Sequence, residues 1–332
     1  MSRGRQVMVL VAAVAAVAAV LYWAWRSRPE GAPAAQPVPG LAWVPAESGL
    51  VAGINLAAVR GQPWLVAELR EVAGAQTETL DYRAFVEATG FDYTRDLDRV
   101  WLGVYGASEQ PTVAGVAEGR FAREKILAHA RAQGARVTLQ EGIELYEVQT
   151  RTQPAGNFAF AFLDATHVAF GSDARAAARV VACWQGRAAA VGTDPGRRGK
   201  LERLAAGQSL WAVDDLARWQ PTFLRAQKDL QSVVTVLAVG VAVSGQGLTL
   251  EAEARCREPQ LARQLHDNLR IAALAGRLAL ARQPDSASRA AGEALGNLTF
   301  TREGDAVRVR VLLSPELVAR LLGSPAATPA RP

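Results

Sequence analysis

The sequence predicts an α+β protein: a single N-terminal transmembrane helix followed by two tandem repeat units, each an antiparallel sheet with helices packed on one face. Three observations predict it. Residues Val7 to Trp25 are uncharged and almost wholly apolar, bracketed by Arg3/Arg5 and Arg26/Arg28. Stretches of period-two alternation occur in pairs joined by short turns, interleaved with segments of helical character. The order of these elements then starts again after residue 200, with recognisable local matches.

The first element is the apolar run. Helical residues rise about 1.5 Å each, so this run reaches nearly across a hydrocarbon core of about 30 Å. Its centre, Val11 to Val20, holds only valine and alanine, while Tyr22, Trp23 and Trp25 gather at the end where amphipathic rings favour the headgroup level. A cleaved signal peptide is the competing reading, because Ala32-Pro33-Ala34 offers an A-x-A site. The length of the run and the aromatic belt favour the anchor, with boundaries at residues 1–28. Counting the free amino terminus, the N-terminal flank is the more basic by about one charge. That favours a cytoplasmic N-terminus and an extracytoplasmic, periplasmic body on the inner membrane. The expected result is an active C-terminal phosphatase fusion and a dark C-terminal fluorescent fusion; the opposite pair reverses the orientation.

Arg3, Arg5, Arg26 and Arg28 precede the first acidic residue, Glu30, and account for four of the net five positive charges. The rest of the chain is nearly neutral. The high pI therefore belongs to the flanks of the anchor, and nucleic acid is excluded as a partner. Cys183 and Cys256 are the only cysteines. A body of this size does not need a disulfide framework, and two small apolar core residues are favoured over a single bridge.

Residues 29–40 carry four prolines and form a spacer that holds the body off the bilayer. The first unit, residues 41–186, begins with a strand at Gly49 to Leu56 and a helix from Gln62, with Pro63 in its first turn. A connector at 74–99 holds a short helix, Tyr82 to Ala88. Val100, Leu102 and Val104 alternate with Trp101, Gly103 and Tyr105, and Thr112 to Phe121 returns as the partner strand. A helix over Ala122 to Gln133 leads to strands at Val137–Gln140, Ile143–Val148 and Phe158–Leu163, the last with Phe158, Phe160 and Phe162 on one face. His167 to Gly171 closes the sheet, and Ser172-Asp173 cap a helix running to Gln185.

Residues 187–200, rich in glycine, arginine and small residues, read as an interdomain linker. The second unit, 201–323, repeats the order: a strand at Ser209–Asp214, a helix at Leu216–Leu230, and a hairpin of Val233–Val243 with Leu248–Cys256. A long helix over Gln260–Ala281, a hairpin turned at Gly304-Asp305 and a helix at Pro315–Leu322 follow. Residues 324–332 are a tail. Four matches carry the repeat. Leu50-Val51-Ala52 pairs with Leu210-Trp211-Ala212, and Ala117-Glu118-Gly119-Arg120-Phe121 with Ala252-Glu253-Ala254-Arg255-Cys256. Gly156-Asn157-Phe158 pairs with Gly296-Asn297-Leu298, and Ser172-Asp173 with Ser314-Pro315.

Pro45-Ala46-Glu47-Ser48, the run Gly90-Phe91-Asp92-Tyr93-Thr94-Arg95-Asp96-Leu97-Asp98-Arg99-Val100 and Ala117 to Phe121 resemble motifs of uncharacterised bacterial membrane-anchored envelope proteins with a duplicated α+β domain. That group has no known activity, so the resemblance implies the architecture and no catalytic residue.

Candidate chemistry is sparse. Asp92, Asp96 and Asp98 could hold a hard cation, but Arg95 and Arg99 interleave with them and the spacing is not that of an EF-hand. Turn and strand-entry residues with local ion pairs are the favoured account. Asp214 and Asp215 are adjacent in a strand and point to opposite faces, which suits no paired acid and base; Asp215 reads as a helix cap. His129, His167 and His266 lack a second ligand at i+4. Residues 194–200 lack the first glycine and the hydroxyl of a P-loop, and Gly207 to Trp211 lacks the last glycine of a nucleophile elbow. No catalytic residue, cofactor or metal site is assigned.

The expected function is therefore a non-enzymatic, membrane-anchored envelope protein that binds or scaffolds, with the membrane as one partner and an envelope protein or lipid as another. The alternative is a carrier of a lipid or other apolar ligand, with the Phe158, Phe160, Phe162 row and Trp101 lining a cavity. An enzyme of unrecognised class ranks last.

Overall fold

The computed structural model describes residues 38–66, 80–107, 109–150, 156–205, 207–219, 232–283 and 285–322. The expected anchor at Val7 to Trp25, most of the 29–40 spacer and the tail lie outside them. So does most of the helix expected at Leu216–Leu230. Among the described residues no helix is long and apolar enough to cross a membrane. The chain is α+β, with antiparallel sheet and packed helices, and it divides into two bodies. One comprises the described parts of Ala34–Gly61 and Gln76–Ala226, the other those of Gln62–Ala75 and Gln227–Pro332.

The first body carries β1 (Leu50–Asn55), α1 (Leu56–Arg60), α2 (Leu80–Thr89), α3 (Tyr93–Asp96), β2 (Leu97–Tyr105) and β3 (Thr112–Gly119). There follow α4 (Arg123–Ala132), β4 (Arg136–Gln140), β5 (Ile143–Thr150), β6 (Gly156–Phe162), β7 (His167–Gly171), α5 (Ala174–Trp184), α6 (Pro195–Ala205) and β8 (Leu210–Asp215). Its strands lie in the order β8-β1-β2-β3-β7-β6-β5-β4. Each neighbouring pair is antiparallel. The β4–β5 turn is two residues long, and both Glu141 (φ 49°) and Gly142 (φ 86°) have positive φ, the geometry that matches the twist of a hairpin.

Helices cover both faces of this sheet, a correction to the one-sided packing expected from the sequence. The reason is visible in β6, where phenylalanine alternates with alanine rather than with a polar residue. Ala161 joins Ala114, Val116 and Ala169 against Ala176, Val180 and Val181 of α5. Phe160 and Phe162 face the other way, with Tyr146 and Val168, against Ile126, Leu127 and Ala130 of α4. Small residues let α5 come close: a Cβ built on Gly171 would lie 2.4 Å from the Ala177 nitrogen.

The stretch read as a linker at 187–200 is also structured. A 3-10 turn spans Val191–Thr193, and α6 starts at Pro195, with Asp194 Oδ1 accepting from the Gly196 and Arg197 amides at 3.0 and 3.1 Å. Arg197 reaches back to donate to the backbone oxygen of Ala46, and Leu201 is buried. The Asp194 cap, backbone bonds such as Val191 N–H to the Val44 oxygen, and the buried side chains of Ala190, Val191 and Leu201 hold this segment.

The second body carries β9 (Val234–Ser244), β10 (Gly247–Cys256), α7 (Pro259–Leu280), α8 (Ser286–Gly296), β11 (Thr299–Glu303), β12 (Ala306–Leu313) and α9 (Pro315–Leu322), with strand order β11-β12-β10-β9. Its two faces differ in chemistry, one apolar and one charged, but the charged face of β10 is not solvated, since Glu251 and Glu253 are buried. Leu250, Val311 and Leu313 pack with Ala290 of α8 and Leu317 and Val318 of α9. On the opposite side Glu251 faces Arg310 across the strands at 3.3 Å. Trp64 packs against this apolar cluster and donates to the Ser244 carbonyl at 3.1 Å. Along α7, Ile271, Leu274 and Leu278 stay exposed. Cys183 and Cys256 are free and buried, and burial pushes each thiol up to about 11.

Candidate functional site

A wide hollow lies in the first body, between the aromatic face of the sheet and helices α2 and α4. Its volume is about 1010 Å³. Strand register builds the floor. Val100 pairs with Ala117, Ala117 with Val168, and Val168 with Phe162, so one straight row of side chains crosses four strands. All four line the cavity. Beside them Phe158 and Phe170 lie nearly parallel at 6.4 Å, and Phe158 and Phe160 at 6.3 Å. The roof is Phe85 from α2 and Ile126, His129 and Ala130 from α4. His129 meets Phe85 edge-on at 5.5 Å. Such an aromatic lining with few polar groups is the usual character of a ligand pocket, and the volume is at the upper end of the usual range.

The phenylalanine row is graded. Phe160 and Phe162 are each 6% exposed, whereas Phe158 is 39% exposed and sits beside Gln149 and Gln133. The row thus runs from buried rings to one that meets solvent. At the other end Phe91 and Phe121 stack at 5.3 Å, and Phe121 meets Phe162 edge-on at 6.0 Å.

Beyond the Phe91–Phe121 pair is a second hollow of about 450 Å³, sharing those two rings and otherwise lined by polar groups, Arg95, Asp96, Arg120 and Thr166 among them. Here the acidic cluster singled out in the sequence finds its place. Asp92 caps α3, its Oδ1 accepting from the Thr94 amide at 2.9 Å. Asp96 is bound by Arg95 through Nε at 2.9 Å and Nη2 at 2.6 Å, and accepts from the Asp92 amide at 3.0 Å. The Arg95 hydrogen bond holds the Asp96 carboxyl down to about 2. Asp98 pairs with Arg60. Among the described residues no three acidic, histidine or cysteine side chains are grouped to hold a metal.

The remaining residues weighed from the sequence lie elsewhere. Trp101 is not part of the cavity. It is one position out of phase with Val100, so it points to the other face and meets Trp43 edge-on at 6.2 Å. His167 shares that face: its Nδ1 lies 2.9 Å from Asp164, and its ring packs against Trp43 and Trp184. Burial raises Asp164, but the Thr166 and His167 hydrogen bonds outweigh it and leave the carboxyl below its ordinary value. His266 contacts Asp267 on α7. Asp215 accepts from the Ala217 amide at 3.2 Å, a turn-capping role, while Asp214 on the opposite face is 5% exposed and its Oδ1 has no hydrogen-bond partner. Sequence reasoning missed the roof and end wall, Phe85, Phe91 and Phe121, because each belongs to a different segment.

No protein-family model matches the chain, and none of the curated proteins matches it. Among solved structures it is weakly similar to TP0453 in crystal forms I, III and IV, with TM-scores of 0.46, 0.45 and 0.45 and identities of 10%, 9% and 10%. The similarity covers 87%, 86% and 86% of this chain and 98%, 98% and 96% of those chains.

Proposed function

We propose that the protein is a non-enzymatic, membrane-anchored envelope component whose first body binds an apolar ligand. The observation that carries this reading is the cavity of about 1010 Å³ floored by the Phe158, Phe160, Phe162 row and roofed by α2 and α4. Burial of apolar ligand surface in such a site yields about 25 cal/mol per Å² before the losses of association, ample for a single acyl chain. The anchor at Val7 to Trp25 supplies the setting, a body tethered beside a bilayer and therefore beside a reservoir of acyl chains.

The two bodies also read as copies of one unit. Supporting this, each contains a hairpin (β2–β3, β9–β10), a helix after it, a later hairpin (β6–β7, β11–β12) and a helix following that (α5, α9). In each, the second strand of the later hairpin pairs back onto the second strand of the first hairpin, β7 on β3 and β12 on β10. Where the first copy has Phe158-Ala159-Phe160, the second has Leu298-Thr299-Phe300. The ligand site is accordingly assigned to the first copy alone.

The test is direct. Solvent extraction of the full chain purified from cells, followed by mass spectrometry, is expected to recover a stoichiometric apolar compound. Ala117→Trp, which puts an indole into the floor between Val100 and Val168, is expected to weaken binding of a fluorescent fatty-acid probe at least about tenfold. Its far-UV dichroism should not change. An empty protein that binds no probe disposes of the proposal.

A further inference from the structure

Behind the aromatic end wall of the cavity lies a charged hollow. Phe91 and Phe121 are shared with the polar hollow of about 450 Å³ that carries Arg95 and Arg120. A molecule lying along the phenylalanine row would reach from one compartment into the other at that pair of rings. The charges there are unequal. Arg95 is committed to Asp96 by two hydrogen bonds. Arg120 is held more loosely: its side chain is 61% exposed, it donates to the Arg95 carbonyl, and its ion pairs with Asp96 and Asp98, at 3.6 Å each, are longer than hydrogen bonds. The lining of the hollow thus carries two arginines, Arg95 and Arg120, against one carboxylate, Asp96.

A second cation stands on the aromatic side, outside the lining of the polar hollow. The Arg123 guanidinium lies 5.3 Å from the centroid of Phe162, one of the cavity rings, and among the described residues it meets no carboxylate. A cation held over an aromatic face keeps donors free for an anion. From these arrangements we infer that the ligand is an anionic amphiphile: its chain fills the aromatic cavity and its acidic head group, carboxylate or phosphate, lies where the two hollows meet, against Arg120 on the polar side and Arg123 on the aromatic side. This rests on the apolar-ligand reading above and adds the head group to it.

The experiment compares palmitate, hexadecanol and inorganic phosphate as displacers of a fluorescent fatty-acid probe from the full chain at pH 8. Palmitate is expected to bind about fivefold more tightly than hexadecanol, the size of effect that two partly exposed ion pairs supply. Inorganic phosphate, which has the charge without the chain, is expected not to displace the probe at millimolar concentration. In the Arg120→Gln/Arg123→Gln double variant the palmitate preference should collapse to about onefold while hexadecanol binding stays unchanged, which also checks that the cavity is intact. Equal binding of palmitate and hexadecanol to the unaltered protein, or a preference that survives the double substitution, overturns the head-group assignment and leaves the cavity reading standing. Failure of both chains to bind overturns the cavity reading and this inference with it, and displacement by phosphate alone makes the hollow a free-anion site.

Discussion

Replacing Gly171 with alanine is expected to cost the protein about 3 kcal/mol, the upper part of the range for inserting atoms into a filled core, and to lower its melting temperature by about 10 °C. The position lies at the end of β7, beneath the first turn of α5. An added Cβ would come within 2.4 Å of the Ala177 nitrogen, 2.7 Å of the Ala176 Cβ and 2.9 Å of the Ala176 carbonyl carbon. Two of those atoms are helix backbone, which cannot turn aside as a long side chain can. Relief therefore requires α5 to lift, and α5 supplies Ala176, Val180 and Val181 to the core on that face. Thermal denaturation of the full chain followed by circular dichroism measures the effect. A shift of less than about 2 °C means that the helix can move freely and that the face is loosely packed.

That close approach explains part of what the sequence conceals. The Phe158-Ala159-Phe160-Ala161-Phe162 alternation displays the aromatic row at once, since large apolar side chains two residues apart share a face. The intervening alanines look like solvent-facing filler, yet Ala159 and Ala161 are fully buried under α5. Period-two patterning separates the two faces of a strand; it does not reveal that both are covered when one cover rests on small residues. Helix α8 escaped for a related reason. Its buried positions are Ala290 and Gly292, which add little to an apolar period, although Asp285, accepting from the Ser288 amide at 2.8 Å, is a legible cap.

The site was half legible. The floor follows from strand phase, and once the β2–β3 pairing is drawn Val100 and Ala117 must accompany the phenylalanines, while Trp101 must not. The expected role of Trp101 in the cavity ignored that phase. What no strand pattern could supply is the hollow itself. An empty space is defined by how far α2 and α4 stand from the sheet, and that distance depends on side chains from segments far apart in sequence, such as Phe85, Phe91 and Phe121. A row of phenylalanines reads equally as filled core until the opposing layer is known.

Asp214→Asn is expected to stabilise the protein at pH 8 by as much as about 4 kcal/mol and to have no effect near pH 4. Burial, reinforced by the neighbouring charge of Asp215, pushes the Asp214 carboxyl up from 3.8 to about 7. Its Oδ1 has no hydrogen-bond partner, and no cation is paired with it among the described residues. The folded state therefore holds a proton that the unfolded chain has already released. Below about pH 4 the group is protonated in both states and costs nothing. As pH rises from there toward about 7 the unfolded chain ionises first and gains on the folded one, so stability falls across that window and levels off above it. Asparagine keeps the shape and removes the ionisation. Urea denaturation of both proteins at pH 4, 6 and 8 measures the widening gap, and two curves that stay parallel across that range would show that Asp214 is solvated in the folded protein. Asp96 works in the opposite sense, its carboxyl held down to about 2 by Arg95, so its contribution is present above about pH 4 and is lost as the solution is acidified toward pH 2. Taken by themselves, these two groups favour the folded state most close to pH 4, where Asp96 is charged in the folded protein and Asp214 still holds its proton there.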